Sequence, residues 1–303
     1  MRPLVGVPHS AALMGRGSEV LGFDDEMSTD HNCEARVLLF VPDGVELQVD
    51  VPDRFEGRAA FVEVHTVRSY FLAQLGFDCD REIGLREWFT FPEQHLRMMT
   101  AGDVFHDEVG LQAVRDRLAY YPRDVWLYLM IAGWWRVHPE MNLVGRSGYV
   151  GDELGSTLIG AELVQDLIRL CFLMEREYAP YRKWFGTAFR RLSCGPTVEP
   201  LLREVLRAST WEERETALMA AYRAVIGVYQ GLGITPAVEV GIEQMCGRPF
   251  KVVWGDFPGA LAAAIDDPEV RRIAERWPVG GIERVRDAFW GVGDRRRVLE
   301  FFD

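Results

Sequence analysis

The stretch AAFVEVHTV, Ala59 to Val67, marks a change of texture in the chain. Its side chains alternate at the two-residue period of a strand, with Phe61, Glu63, His65 and Val67 on one face and Val62, Val64 and Thr66 on the other. From Arg68 onward, apolar residues recur three and four apart and the alternation all but vanishes, which is helical texture. Ala59 to Val67 therefore reads as the last strand before a long helical region.

Upstream, three more strands are expected. Ser10 to Met14 is a short apolar run closed by Gly15, and Arg36 to Val41 has the unbroken apolar character of a buried strand. Pro42-Asp43-Gly44 is a turn that leads into Val45 to Val51. Downstream, the spacing predicts helices over Val67 to Leu75, Leu85 to Met99, Gly110 to Tyr120, Pro122 to His138, Asp152 to Glu177, Tyr181 to Leu192, Val198 to Ala208 and Trp211 to Leu232, with shorter ones to Asp303. Two have clear start signals: Pro122, whose missing amide costs nothing in a first turn, and Thr210, an N-cap before Trp211-Glu-Glu. The fold class is α+β: a small sheet-bearing unit over residues 1–100, then a larger all-helical domain over 101–303.

Composition narrows the function. The 303 residues carry 48% hydrophobic and 26% charged side chains, which suits a globular protein of roughly two domains. The five cysteines are odd in number, far apart and form no CxxC pair, so neither a structural zinc site nor a disulfide framework is expected, and a reducing cytoplasm is the expected compartment. The N-terminus is broken by Pro3 and Pro8 before any long apolar core, so no signal peptide is read there. Val125 to Trp135, the most apolar run, is too short to span a bilayer, so no membrane partner is expected. A net charge of −12 with no basic stripe argues against a nucleic-acid polymer as partner. Lys183 and Lys251 are the only lysines among 34 basic residues.

The densest polar segment is GRGSEVLGFDDEMSTDHN, Gly15 to Asn32. Gly15 and Gly17 ahead of Ser18 let a backbone approach a ligand closely, and successive amides there can cradle phosphate oxygens. Asp24, Asp25, Glu26 and Asp30 follow. A polyphosphate and a carboxylate cluster repel unless a divalent cation lies between them, so the pairing points to a metal–nucleotide site; the plain alternative is a polar surface loop. Glu63, an acid on a strand face shared with Phe61 and Val67, would supply a second carboxylate to a metal held by Asp30.

The order Gly17-Ser18, then S-x-D-x-N at Ser28 to Asn32, then Glu63 between two valines resembles the polymerase-beta type nucleotidyltransferase superfamily. More closely, GSEVLGFDDEMSTDH, GDELGSTLI at Gly151 to Ile159 and FLMEREYAPYRKWFGTAF at Phe172 to Phe189 resemble the DUF4037 family, over nearly the whole chain from Ser10 to about Phe257. The resemblance implies a nucleotidyltransferase-type mixed sheet followed by a helical domain, similar in layout to enzymes that adenylylate aminoglycosides and lincosamides. It places Gly17 and Ser18 on the triphosphate of ATP or another NTP, and Asp30, Asn32 and Glu63 on Mg²⁺. Asn32 stands where the superfamily has a second carboxylate, and Cys33-Glu34-Ala35-Arg36 keeps only the arginine of the usual Trp-Gly-Pro-Arg.

In the resembled enzymes a helical-domain carboxylate is the base on the acceptor. Asp152 is the candidate here ahead of Glu153, against the plain reading of both as first-turn acids. Lys183, between aromatic residues, is a candidate cation on the phosphates, against a surface lysine snorkelling beside Trp184. His65 is expected to be satisfied by a neighbouring acid, and His31 is a candidate beside the metal or acceptor. His95, His106 and His138 lack metal-ligand spacing. Trp126, Trp134 and Trp135 read as helix core, with any excess lining an interface such as that of a homodimer. The expected function is transfer of a nucleoside monophosphate, AMP from ATP, to a small-molecule acceptor; the alternative is a nucleotide-binding sensor or interaction protein that has lost transfer.

Overall fold

The computed structural model describes residues 5–25, 27 and 35–285. The chain forms two units, one running to Tyr121 and the other from Pro122 to Arg284.

The first unit contains β1 (Ser10–Leu13), α1 (Ser18–Leu21), β2 (Ala35–Phe40), β3 (Arg54–Phe55), β4 (Arg58–His65), α2 (Val67–Leu75), α3 (Leu85–Trp88), α4 (Glu93–Thr100), β5 (Asp103–Asp107) and α5 (Leu111–Arg117). The strands form one mixed sheet in the order β3-β4-β2-β1-β5. β2 and β4 run parallel, from Ala35 opposite Ala60 to Phe40 opposite His65, while β1 is antiparallel to both β2 and β5. One sheet face buries Val5, Ala11 and Leu39, with Val37, Leu47, Val49, Val62 and Val64 packed around them. By alternation the other face carries Arg36, Leu38 and Phe40 from β2 beside Phe61, Glu63 and His65 from β4.

The junction after β4 is abrupt for a local reason. Thr66 Oγ1 accepts from the Ser69 amide at 3.1 Å, and Ser69 Oγ accepts from the Thr66 amide at 3.0 Å, a reciprocal cap that starts α2 at Val67. Three expectations are corrected here. Val45 to Val51 is no strand: its valines and Leu47 are half-buried and the residues between them exposed, but the segment joins no ladder. Its alternation records which side faces the core, while the parallel pairing of β2 with β4 leaves it to serve as the crossover. The helix expected over Leu85 to Met99 is broken between Trp88 and Glu93, because Pro92 cannot donate within a helix and disfavours helical backbone at Phe91. Asp103–Asp107, within the stretch read as helical, is β5; it belongs to the first unit, which therefore reaches past residue 100.

The second unit contains α6 (Arg123–Val137), α7 (Leu143–Tyr149), α8 (Glu153–Met174), α9 (Arg182–Arg191), α10 (Gly195–Arg207), α11 (Trp211–Gly231), β6 (Gly241–Gln244), β7 (Lys251–Trp254), α12 (Phe257–Ala263), α13 (Pro268–Arg276) and α14 (Ile282–Val285). It is not all-helical, since β6 and β7 pair as an antiparallel hairpin. Trp134 is fully buried and stacks on Phe257 with ring centroids 4.3 Å apart. Gly133 lets α6 and α8 approach closely, as a methyl group there would meet Leu170 at 2.6 Å. No helix among the described residues is long and apolar enough to cross a membrane.

Candidate functional site

The loop after β1 lies over the polar sheet face of the first unit. Gly15 has a left-handed φ of 91° and donates its amide to Met98 O at 3.0 Å; any Cβ there would sit 2.3 Å from the Tyr70 hydroxyl oxygen, so only glycine fits. Arg36, only 8% exposed, holds the loop from below, donating to the carbonyls of Met14 at 3.4 Å and of Arg16, with Glu19 Oε1 3.6 Å away. Arg36 is thus the side chain that fixes the glycine-rich loop.

Three groups converge at Glu63. Arg16 Nη2 lies 3.6 Å from Glu63 Oε1 and His65 Nε2 lies 3.3 Å from Glu63 Oε2, so His65 meets the neighbouring acid expected of it. Glu63 Oε1 is buried and makes no hydrogen bond. Tyr70 packs at 5.1 Å from the His65 ring; burial pushes its hydroxyl up to about 12, the Arg36 and Arg16 charges opposing and the Glu63 charge adding. A carboxylate with one buried oxygen lacking a donor suits a cation ligand, and the Arg16 guanidinium beside it suits phosphate oxygens.

The other expected residues fare differently. Gly17 has a φ of 118°, and the Ser18 hydroxyl donates to Asp24 Oδ1 at 2.6 Å, which ties the loop to the acidic stretch that follows. Asp30 and Asn32, together with Glu26, His31 and Cys33, lie outside the described residues. In the second unit, Asp152 is the N-cap of α8, accepting from the Gly155 amide at 2.7 Å and from Ser147 Oγ at 3.2 Å. Glu153 accepts from the Trp211 amide at 3.1 Å and pairs with buried Arg214 at 3.2 Å. Both acids therefore have structural work. Lys183 is exposed, with Nζ 4.6 Å from the Trp184 ring centroid.

The second unit also holds a cavity of about 540 Å³ that sequence reasoning missed, lined by Trp135, His138, Glu239, Glu243, Trp254 and Asp256 among others. Trp135 and Trp254 are each half-exposed. Burial pushes the His138 imidazole below its ordinary value, with Asp256 opposing. Two indole faces and three carboxylates around one cavity suit a cation. Trp135 belongs to a run that reads as helix core, and only its burial separates it from Trp134.

Residues 88–185 match the family model described as "Domain of unknown function (DUF4037)". The DUF4037 match includes GDELGSTLI and most of FLMEREYAPYRKWFGTAF, and it begins after the glycine-rich loop and Glu63. No curated protein matches the chain. Among solved structures, a nucleotidyltransferase-like protein from Exiguobacterium sibiricum 255-15 is loosely similar, at 14% identity and a TM-score of 0.33, covering 83% of this chain and 92% of its own.

Proposed function

We propose that the protein is a nucleotidyltransferase that moves a nucleoside monophosphate, AMP from ATP in the simplest case, to a small-molecule acceptor. The observation that carries this reading is the buried, donor-free Oε1 of Glu63 beside the Arg16 guanidinium, under a glycine-rich loop pinned by Arg36. Glu63, with Asp30 and Asn32, is the set of residues that would hold Mg²⁺, whose charge would offset the triphosphate and polarise the α-phosphoryl group. His65 orients the Glu63 carboxylate. Arg16 takes phosphate oxygens, joined by the amides at Gly17 and Ser18, and Lys183 is the further cation for the leaving group. In the transfer the acceptor oxygen or nitrogen bonds to the α-phosphorus, the bond to the pyrophosphate oxygen breaks, and the acceptor proton passes to a carboxylate. Asp152 is the candidate for that base. The net charge of −12 favours a cationic acceptor. The protein is expected to act in the cytoplasm, with no nucleic-acid polymer as partner.

The test is ATP binding with and without Mg²⁺, followed by pyrophosphate release across a panel of cationic metabolites. Mg²⁺-dependent binding and acceptor-dependent pyrophosphate are expected, both lost in Glu63→Gln. Asn32 favours the second reading, a nucleotide sensor, because an amide ligates Mg²⁺ without adding charge. Mg²⁺-independent ATP binding with no turnover, indifferent to Glu63→Gln, would establish it instead.

A further inference from the structure

We propose that His9, His106 and Glu108 form a binding site for a divalent transition metal of the zinc class, on the sheet face opposite Glu63 and independent of nucleotidyl transfer. His9 stands just before β1 and is only 1% exposed. Its Nδ1 lies 2.9 Å from the Val7 carbonyl oxygen, which can only accept, so Nδ1 carries the proton and Nε2 presents a lone pair. That Nε2 is enclosed and has no hydrogen-bond partner. A backbone carbonyl fixing the far nitrogen of a histidine is the usual arrangement behind a metal-bound imidazole.

Two further ligands point at the same place. His106 Nε2 is likewise buried without a hydrogen bond and lies 3.3 Å from Glu108 Oε2, while the His9 and His106 rings are 4.8 Å apart. One ligand atom from each of the three residues lies within 4.8 Å of the others. Metal bonds of about 2.0–2.1 Å in a tetrahedral shell need ligand separations of roughly 3.4 Å, which small side-chain rotations supply. The His106 and Glu108 side chains are 31% and 30% exposed, leaving a fourth position for water. Two imidazoles and one carboxylate favour zinc, cobalt, nickel or iron over magnesium.

The sheet register separates this site from Glu63. Ala11 pairs with both Leu39 and His106, so His106 shares the Leu39 face, whereas Glu63 pairs with Leu38 on the other. A metal here would clip the start of β1 to the end of β5. The expectation of no structural zinc rests on cysteines, and His106 has only Glu108 close to it in sequence; the sheet brings the other imidazole, His9, from the far end of the unit.

The experiment titrates Co²⁺ into metal-stripped full-length protein, reading visible absorption, then adds Zn²⁺ or Mg²⁺. One Co²⁺ per chain is expected, displaced by Zn²⁺ but not by excess Mg²⁺, with Zn²⁺ raising the Tm. His106→Ala and Glu108→Gln should each weaken Co²⁺ binding by about tenfold or more. Should His106→Ala fail to fold, Glu108→Gln decides, since its side chain is partly exposed. No Co²⁺ binding to the wild type, displacement by Mg²⁺, or unchanged affinity in the folded variants would leave a plain histidine–glutamate pair and overturn the proposal. Loss of pyrophosphate release plays no part in the readout, so failure here and failure of the transfer reading are separable.

Discussion

The first unit builds the same glutamate–histidine pair twice and gives each different company. Glu63 with His65, and Glu108 with His106, are both spaced two residues apart, and both place Oε2 3.3 Å from Nε2. Glu63 has Arg16 at 3.6 Å and buried Arg36 under the neighbouring loop; Glu108 and His106 have the His9 imidazole. Guanidinium groups cannot bind a metal and are built for phosphate or carboxylate, whereas a neutral imidazole is a ligand for transition metals. The third neighbour, more than the pair, distinguishes the two faces chemically.

The comparison breaks most visibly at Glu63. Glu63→Gln is expected to lower pyrophosphate release by about 10²-fold or more, while leaving Co²⁺ binding at the other face unchanged. A parallel loss of both readouts would mean that the faces are not separate sites. Next in size is the loop's anchor. Arg36→Met should cost roughly 2–4 kcal/mol in urea unfolding, because it strips donors from the Met14 and Arg16 carbonyls and removes a buried cation 3.6 Å from Glu19. His106→Ala follows, with its tenfold loss of Co²⁺ affinity and pyrophosphate release unchanged.

The smallest effect sharpens the β1–β5 side. Burial raises the Asp107 carboxyl, but hydrogen bonds from Ser10 and from the Gln112, Leu111 and Gly110 amides outweigh it and hold the group below its ordinary value. The unfolded chain then binds the proton more readily, so the stabilisation is present above about pH 4 and is lost as pH falls through the folded value. Thermal melts against pH should show Asp107→Asn with a shallower acid limb than the wild type. An unchanged limb would place the acid sensitivity elsewhere.

Local chemistry made much of this legible. The alternation of Ala59 to Val67 placed Glu63 and His65 on one face, and Thr66 with Ser69 stopped the strand where the texture changed. What stayed hidden depended on partners distant in sequence. DVFHD at Asp103 to Asp107 is a strand because it lies against β1, and nothing within it outweighs the helical neighbours. His9 acquires meaning only when β1 and β5 bring it to Glu108, 99 residues away. Asp152 was singled out as an acid at a helix start, and capping that helix is what it does.

The sheet's borders bear on how copies of the protein meet. At one side β3 offers two residues, Arg54 and Phe55; at the other β5 carries exposed Asp103 and Asp107, and its register with β1 slips between Ala11 and Ala12. On the β5 side a stray strand from another chain meets an acidic, uneven template. Strand addition is thereby disfavoured at the β5 border, and crowded expression should yield little fibrous aggregate seeded from that edge.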